Sequence, residues 1–408
     1  MPKITRREWF RTVGVVGTVG IAGCSTAVDE PTTTENAATE TDSATGTDSP
    51  TETESTTETD SGTEPDGWSM FQYDHANSGS VASETGPTTD TTQRWSFELD
   101  GGVTTSPAIV DGTVYVGNSS TGVYAVDSGT GEQEWVLDSI GGTFSSPAVA
   151  DDIVYVGSRD SDLYAVNTVT GDQEWVFETD GSVASSPAVV DGTVYVGCGD
   201  ANLYAVETTT GGRQWRFDVG SVVISSPAVA DGTVYVAGMQ TDLYAVDAIT
   251  GDQRWVFEQL EGAYSSPAVV DGTVYIGSYD GNLYAVDAAS GAQEWSFETG
   301  ESVASSPAVA GNTIYVGSMD NSLYAVDADS GDQQWEFETG DSVGSSPAVV
   351  DGTVYVGGYD GNLYAVDADS GDQVWVFETD DRVLSPAVAD GTVFVGSHDT
   401  YLYALGEQ

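Results

Sequence analysis

One stretch recurs along the chain and decides its fold: residues 266–298, SPAVVDGTVYIGSYDGNLYAVDAASGAQEWSFE. The tryptophan in this stretch returns every forty residues, at Trp95, Trp135, Trp175, Trp215, Trp255, Trp295, Trp335 and Trp375. A period near forty is typical of a four-stranded blade repeated around an axis. The spacing therefore predicts an all-β chain that forms a β-propeller.

The phase of the repeat predicts how the ring closes. The chain enters on a tryptophan segment, residues 93–99, and leaves on residues 385–405, which contain no tryptophan. The two fragments together make one complete unit. The sequence thus predicts an eight-bladed propeller of four-stranded blades, in which the N- and C-terminal segments share one blade.

Within one unit, turn residues separate short apolar runs. Asp271-Gly272 and Asp280-Gly281 are predicted turns, because Asp and Gly tolerate the positive φ of tight reversals. The runs between them are rich in Val, Ile and Tyr and are apolar on both faces, as expected for strands buried between neighbouring blades. Pro267 precedes the innermost strand, which we expect to be an edge that faces the axial channel.

The first 66 residues are not predicted to belong to the propeller. Residues 1–23 are predicted to be a twin-arginine lipoprotein signal peptide, in which Arg6 and Arg7 are the export signal and a short apolar run ends before Cys24. Cys24 is the predicted lipid attachment site; an ordinary signal peptide that happens to contain a cysteine is the alternative. Residues 24–66 are predicted to be a disordered, acidic Thr/Ser-rich linker. Residues 67–408 are predicted to form the propeller.

Charge excludes several classes of partner. The formal net charge is −55, and the predicted propeller contains six arginines and no lysine. Phosphate contacts need basic patches, so we expect no nucleic-acid partner, and contact with the membrane only through the lipid anchor. Such a surface suits molar salt, where repulsion between carboxylates is screened, and thus indicates a halophile. A melting temperature independent of KCl concentration would contradict this interpretation.

The link between the third and fourth strands carries the most specific motif. Ala285, Asp287, Ser290-Gly291 and Trp295 define the pattern A-x-D-x-x-[ST]-G-x-x-x-W, in which Asn167 and Glu207 replace the Asp of two blades. This pattern resembles the tryptophan-docking motif of the pyrroloquinoline-quinone (PQQ) dehydrogenase propellers and their relatives. The resemblance implies that the eight tryptophans are structural and stack between blades. The propeller lipoprotein of the outer-membrane β-barrel assembly machinery is similar in its layout of anchor and eight blades.

The same resemblance raises the question of catalysis. It implies that an enzyme of this kind would carry a vicinal Cys-Cys disulfide, a calcium ion, a catalytic Asp and long inserted loops. The chain has no Cys-Cys pair, and its units keep to forty residues. We therefore expect no catalytic residue and no resident cofactor. A PQQ-binding oxidoreductase, or a small-ligand binder that uses the axial funnel, is the alternative.

Paired carboxylates in two turns are candidate calcium ligands. Oxygen-rich loops suit this cation, and the residues concerned are Asp327, Asp329, Asp367 and Asp369. The competing interpretation, which we favour, is a hairpin turn in which Asp caps backbone amides. The sequence accordingly predicts no metal site.

The residues that break the repeat point to a binding face. Two loop positions vary around the ring and carry large apolar, aromatic and basic side chains, types that are enriched at recognition surfaces. The candidates are Phe144, Arg159, Ile224, Met239, Tyr264, Tyr279, Met319, Tyr359, Arg382 and His398. Drift at unconstrained loop tips is the alternative. The predicted function is a monomeric, non-catalytic scaffold on the extracytoplasmic face of the cell membrane, where it binds a protein or peptide.

Overall fold

The computed structural model describes residues 67–81, 84–87 and 91–407. Eight antiparallel four-stranded sheets form the blades of a propeller, as predicted. The strands of blades 1 to 7 follow one another along the chain, and blade 8 combines the last three strands with Thr91–Glu98. In the described part of the chain, no helix is long and apolar enough to cross a membrane.

Strand bounds repeat closely from blade to blade. The first, innermost strands of blades 1 to 8 are Ala108–Val110, Ala148–Ala150, Ala188–Val190, Ala228–Ala230, Ala268–Val270, Ala308–Ala310, Ala348–Val350 and Ala387–Ala389. The second strands are Thr113–Gly117, Ile153–Gly157, Thr193–Gly197, Thr233–Ala237, Thr273–Gly277, Thr313–Gly317, Thr353–Gly357 and Thr392–Gly396. The third strands are Val123–Asp127, Asp162–Asn167, Asn202–Glu207, Leu243–Asp247, Asn282–Asp287, Ser322–Asp327, Asn362–Asp367 and Tyr401–Glu407. The fourth, outermost strands are Gln133–Leu137, Gln173–Glu178, Arg213–Asp218, Gln253–Phe257, Gln293–Glu298, Gln333–Glu338, Gln373–Glu378 and, in blade 8, Thr91–Glu98.

The ring closes as the phase of the repeat predicts. Thr91–Glu98 pairs with Tyr401–Glu407, and Trp95 lies opposite Ala404. In blade 5 the equivalent tryptophan, Trp295, lies opposite Ala285. The closing blade therefore reproduces the register of the continuous ones, and the two ends of the described propeller share one sheet.

Tryptophans join neighbouring blades. Each of the eight indole Nε1–H groups donates a hydrogen bond of 2.7 to 3.0 Å to a backbone carbonyl. Seven of these carbonyls belong to the turn between strands 3 and 4 of the next blade, as when Trp255 donates to Ala288. Trp375 has no such turn ahead of it and donates to Pro87, which precedes the closing strand. The docking contact is thus completed at the position where the chain ends meet.

A belt of serines joins the inner ends of the blades. The backbone N–H of each serine of the Ser-Pro pair donates to the Oγ of its counterpart in the next blade, as when Ser226 donates to Ser266 at 2.9 Å. This bond forms at seven of the eight blade junctions. Within the described residues, the corresponding bond between Ser385 and Ser106, at the junction of blades 8 and 1, is not formed. Blade 8 is also the unit in which the Ser-Pro pair comes one residue early, at Pro386.

The axial channel, here called the bore, is lined by the first strands of the blades, and two of these strands have a further partner strand. Residues 67–81, here called the strap, run through it and bond to the first strands. Gly67–Trp68 pairs antiparallel with blade 1, and Ser80–Val81 pairs parallel with blade 7. The expectation that the innermost strand is a sheet edge facing the channel is confirmed for blades 2 to 6 and 8. It was wrong for blades 1 and 7, because the chain supplies a partner strand there.

Candidate functional site

Two sets of loops meet on one side of the ring. At the tip of each loop between strands 2 and 3, a backbone N–H donates to a carbonyl of the loop that leads into the same blade, as when Tyr279 donates to Gly262 at 3.1 Å. The same bond occurs in all eight blades, with Ser119, Arg159, Gly199, Met239, Tyr279, Met319, Tyr359 and His398 as donors. The two variable rings found in the sequence thus lie side by side, and the surface they form is called the variable face.

Phe144 and Arg159 form the most exposed candidate pair. The Arg159 guanidinium carbon lies 5.3 Å from the centre of the Phe144 ring, within range of a cation–π interaction. Phe144 is 37% exposed, an unusual value for a phenylalanine on a folded domain. The pair therefore offers a partner both an apolar surface and a positive charge.

Tyr264 and Tyr279 form a second pair, in blade 5. Their ring centres are 6.2 Å apart in an edge-to-face arrangement, which aromatic quadrupoles favour. Burial, and secondarily the nearby Tyr359 phenol, raise the pKa of Tyr264 to about 12. Blade 5 therefore presents two packed aromatic rings on the variable face.

Tyr359 and Arg382 form the third pair. The Arg382 guanidinium carbon lies 4.5 Å from the centre of the Tyr359 ring. The same ring lies against Gly344, where a side-chain Cβ would come within 2.7 Å of the tyrosine oxygen. Burial raises the pKa of Tyr359. The glycine at this variable position is therefore part of the site, since it makes room for the tyrosine.

The remaining candidates are less accessible. Met239 is only 7% exposed, so it is buried beneath the variable face and is not available to a partner. Its prediction as a residue of the binding surface was wrong. Ile224, Met319 and His398 are half-buried. Burial lowers the pKa of the His398 imidazole. These three side chains contribute partial surface to the variable face.

Two irregular loops carry the candidates Phe144 and Tyr264, and the sequence analysis did not identify these loops as irregular. Most loops that enter a blade bury a valine two residues before the Ser-Ser-Pro stretch, as Val303 does. Residues 138–144 and 258–264 have Thr143 and Ala263 there instead, and bury Ile140 and Leu260. These are the loops that present Phe144 and Tyr264. Their departure from the repeat was the available signal.

A ring of tyrosine–aspartate hydrogen bonds holds the loops between strands 2 and 3. Tyr284 donates its hydroxyl to Asp280 at 2.8 Å, and burial together with this carboxylate raises the tyrosine pKa. Five other blades contain the same bond, between Tyr164 and Asp160, Tyr204 and Asp200, Tyr324 and Asp320, Tyr364 and Asp360, and Tyr403 and Asp399. The variable side chains therefore stand on loops whose bases are fixed.

The four candidate calcium ligands lie in turns on the opposite side of the ring. The Asp327 carboxylate accepts hydrogen bonds from the backbone N–H and the hydroxyl of Ser330, which hold its pKa below the usual range. Asp367 accepts the equivalent backbone hydrogen bond from Ser370 at 2.8 Å. Asp329 and Asp369 are exposed to solvent. Among residues 67–81, 84–87 and 91–407, no group of three or more His, Cys, Asp or Glu side chains is placed to hold a metal ion.

Three predicted functional residues, Arg6, Arg7 and Cys24, lie outside the described residues. The domain boundaries at residues 23 and 66 lie there as well. The export signal and the lipid anchor remain predictions from sequence.

Comparison with known proteins places the chain among repeat propellers. A family model described as "Outer membrane protein assembly factor BamB" matches residues 77–216, 178–264, 261–375 and 319–408. No protein of curated function matches the chain significantly in sequence.

Solved structures share the fold at low sequence identity. BamB from Moraxella catarrhalis is 20% identical with a TM-score of 0.68, and the match covers 78% of this chain and 98% of that one. A quinohemoprotein alcohol dehydrogenase from Pseudomonas putida HK5 is 16% identical with a TM-score of 0.72, over 84% of this chain and 80% of that one. Another from Comamonas testosteroni is 16% identical with a TM-score of 0.71, over 84% and 81% respectively. At these identities the likeness concerns the fold alone.

Proposed function

Because the chain belongs to the family described as outer membrane protein assembly factor BamB, we propose that it is an exported, lipid-anchored scaffold that binds a protein partner and catalyses no reaction. One observation carries this proposal. On a framework that is otherwise nearly constant, the variable loop positions include large apolar, aromatic and basic side chains, and they are brought together on one face. Phe144 with Arg159, Tyr264 with Tyr279, and Tyr359 with Arg382 are its three paired features.

The chemistry of these pairs suits a protein partner. Aromatic and arginine side chains are enriched among the residues that dominate the binding energy of protein interfaces, and the aromatic ones bury large areas at a low cost in conformational entropy. The loop tips that carry these side chains are held by backbone hydrogen bonds, so little ordering of the loops is needed on binding. In high salt, long-range attraction is screened, and short-range contacts of this kind keep their strength.

The residues present do not fit a PQQ site. The strap hydrogen-bonds to the first strands of six blades and so takes up part of the bore, where a ligand in the axial funnel would need room. The only cysteines, Cys24 and Cys198, are far apart in sequence, and Cys198 is buried and free. The acidic turns offer no grouped carboxylates among the described residues. These observations weigh against the alternative of a quinoprotein oxidoreductase.

Anchoring is the part of the proposal that depends on sequence alone. The run before Cys24 and the twin arginines are in the order that a lipoprotein signal requires. Changing Cys24→Ser removes the thiol that would accept the lipid, so the protein is expected to leave the membrane fraction or to remain unprocessed. A Cys24→Ser protein that is matured and still fractionates with membranes would show that another element holds it there.

The proposed function is tested by footprinting the protein in its own membranes. Hydroxyl-radical labelling of salt-matched membranes, compared with the purified protein, is expected to show protection at Phe144, Tyr264 and Tyr359. The exposed Ile249 and Val169, in turns on the opposite side of the ring, serve as internal controls and should label equally in both samples. Protection confined to the opposite side, or none at all, would contradict a partner on the variable face.

A further inference from the structure

The strap crosses the bore and forms backbone hydrogen bonds with six of the eight blades. It begins paired with blade 1, at Gly67–Trp68, and ends paired with blade 7, at Ser80–Val81. Between these ends, the middle residue of the first strand in each of four further blades donates its backbone N–H to a strap carbonyl. The bonds run from Val149 to Ser69 at 2.8 Å, from Val229 to His75 at 2.7 Å, from Val269 to Ala76 at 2.9 Å and from Val309 to Ser78 at 2.8 Å.

Two carboxamide side chains of the strap donate hydrogen bonds to carbonyls of the bore, whereas the preceding bonds are donated by the bore. Asn77 Nδ2 lies 3.0 Å from the carbonyl of Pro267 and 3.4 Å from those of Ser226 and Pro227. Gln72 Nε2 lies 3.4 Å from the carbonyl of Ser306. Both side chains are buried, so they exchange hydrogen bonds with water for hydrogen bonds with the bore.

The strap has an uncommon backbone shape that contacts within the strap and with the bore maintain together. Gln72, Tyr73 and Asn77 have φ values of 54°, 76° and 57°, in the left-handed region that residues other than glycine seldom adopt. Asp74 supports this shape locally, because its carboxylate accepts the N–H groups of Ala76 and Ser78. Strained backbone of this kind persists where many contacts determine it together.

The strap also lies at the one junction that lacks the serine belt. Trp68 is 1% exposed and belongs to the same buried cluster as Ile109 of blade 1 and Val388 of blade 8. Its indole therefore packs where the ring is closed by separate parts of the chain. At this junction an indole is buried, while at the other seven a serine hydrogen bond links the blades.

From these contacts we propose that the bore is a peptide-binding site whose ligand is the chain's own strap, residues 67–81. The site recognises an extended peptide that offers carbonyls to the inner-strand amides and carboxamide donors to the inner carbonyls. The strap is held in the bore by noncovalent contacts, as a bound peptide would be, and it links the first strands of several blades. This proposal is independent of the partner on the variable face.

The test cuts the covalent link between the strap and the ring only after the whole protein has folded. Residues 82–83 are replaced by a protease recognition sequence, the whole protein is folded, and the folded protein is cleaved there. A fluorescent synthetic peptide of residues 67–81 is then added in excess and its exchange into the cleaved protein is followed. An Asn77→Ala peptide is compared with the parent and with a His75→Ala control, because His75 contributes only its carbonyl to the bore.

The parent and His75→Ala peptides are expected to exchange with similar affinity. The Asn77→Ala peptide is expected to bind about tenfold more weakly, the order of effect for losing a buried hydrogen-bonded side chain. Equal binding of all three peptides would overturn the proposal, as would immediate loss of the strap from the cleaved protein while the ring melts unchanged.

A second measurement covers the case in which the strap leaves only when the ring unfolds. In the uncleaved chain, Gln72→Ala with Asn77→Ala should raise the hydrogen-exchange rates of Val229 and Val269 about tenfold relative to the amide of Val189. Val189 occupies the same position in blade 3 and has no bond to the described part of the strap. Unchanged relative rates would overturn the proposal.

Discussion

Gly291 and Trp255 show how neighbouring blades are joined: the tryptophan of one blade packs on a glycine of the next. Gly291 has a φ of +73°, and a Cβ built on it would lie 2.8 Å from the Trp255 indole of the preceding blade. Six other glycines at this position stand in the same relation to a tryptophan: Gly131, Gly171, Gly211, Gly251, Gly331 and Gly371. The motif therefore requires glycine at this position for two reasons: the backbone has a positive φ, and the indole ring leaves no room for a Cβ.

A matched pair of glycines separates these two requirements. Gly272, in the same blade, has a φ of +81° but no heavy atom within 4 Å of a built Cβ. Gly272→Ala is expected to cost about 1–2 kcal/mol of unfolding free energy, from backbone strain alone. Gly291→Ala should cost about 1–3 kcal/mol more, because Trp255 must also move. Chemical denaturation in constant salt measures both values, and equal losses would show that the indole contact adds nothing.

Side-chain roles at the variable positions were predictable only in part. The sequence identified Phe144, Arg159, Tyr359 and Arg382 because they break an otherwise regular pattern. It did not reveal that each arginine lies over an aromatic ring, since both pairings depend on how two loops separated in sequence approach each other. Nor did it distinguish buried Met239 from its exposed neighbours, because the burial of a loop residue is set by the adjacent loop.

At the scale of elements, periodicity predicted the strands, and turn chemistry predicted their limits. Asp271 has the positive φ, 49°, that an Asp-Gly turn requires, and Thr273–Gly277 follows it as a strand buried on both faces. The strap could not be predicted in the same way. Most of its contacts with the bore are made by backbone groups, which leave no pattern in the sequence, and they join residues about 40 to 270 positions apart.

The closing strand provides the prediction for this scale. Thr91–Glu98 pairs with seven residues of Tyr401–Glu407, and Trp95 donates to Ser128 in blade 1. Deleting residues 93–99 removes both contacts and exposes an edge of blade 8 and a side of blade 1. We expect a large drop in melting temperature and an expanded radius of gyration by small-angle scattering. A deletion protein that melts within a few degrees of the parent would indicate that the strap alone holds the ring.

As a whole, the molecule combines a uniform ring with one varied surface. Docked tryptophans and the serine belt recur around the ring, while the tyrosine–aspartate bonds fix the bases of most variable loops. A rigid framework with side-chain variety confined to one face is suited to recognition, because function tends to lie on loops that a scaffold positions. The formal net charge of −55 makes the protein repel other acidic molecules and so disfavours non-specific association with them.

The central claim, that the variable face binds a protein, is tested most directly by capture of a partner from salt-matched membranes. Phe144→Ala and Arg159→Ala alter exposed side chains, so the melting temperature should change little. Each is expected to weaken capture by about 1–3 kcal/mol, as for an interface hot spot. Ile249→Ala, which changes a side chain 85% exposed on the opposite side of the ring, should capture the partner as the parent does. Loss of capture by Ile249→Ala, with Phe144→Ala and Arg159→Ala unaffected, would contradict the account.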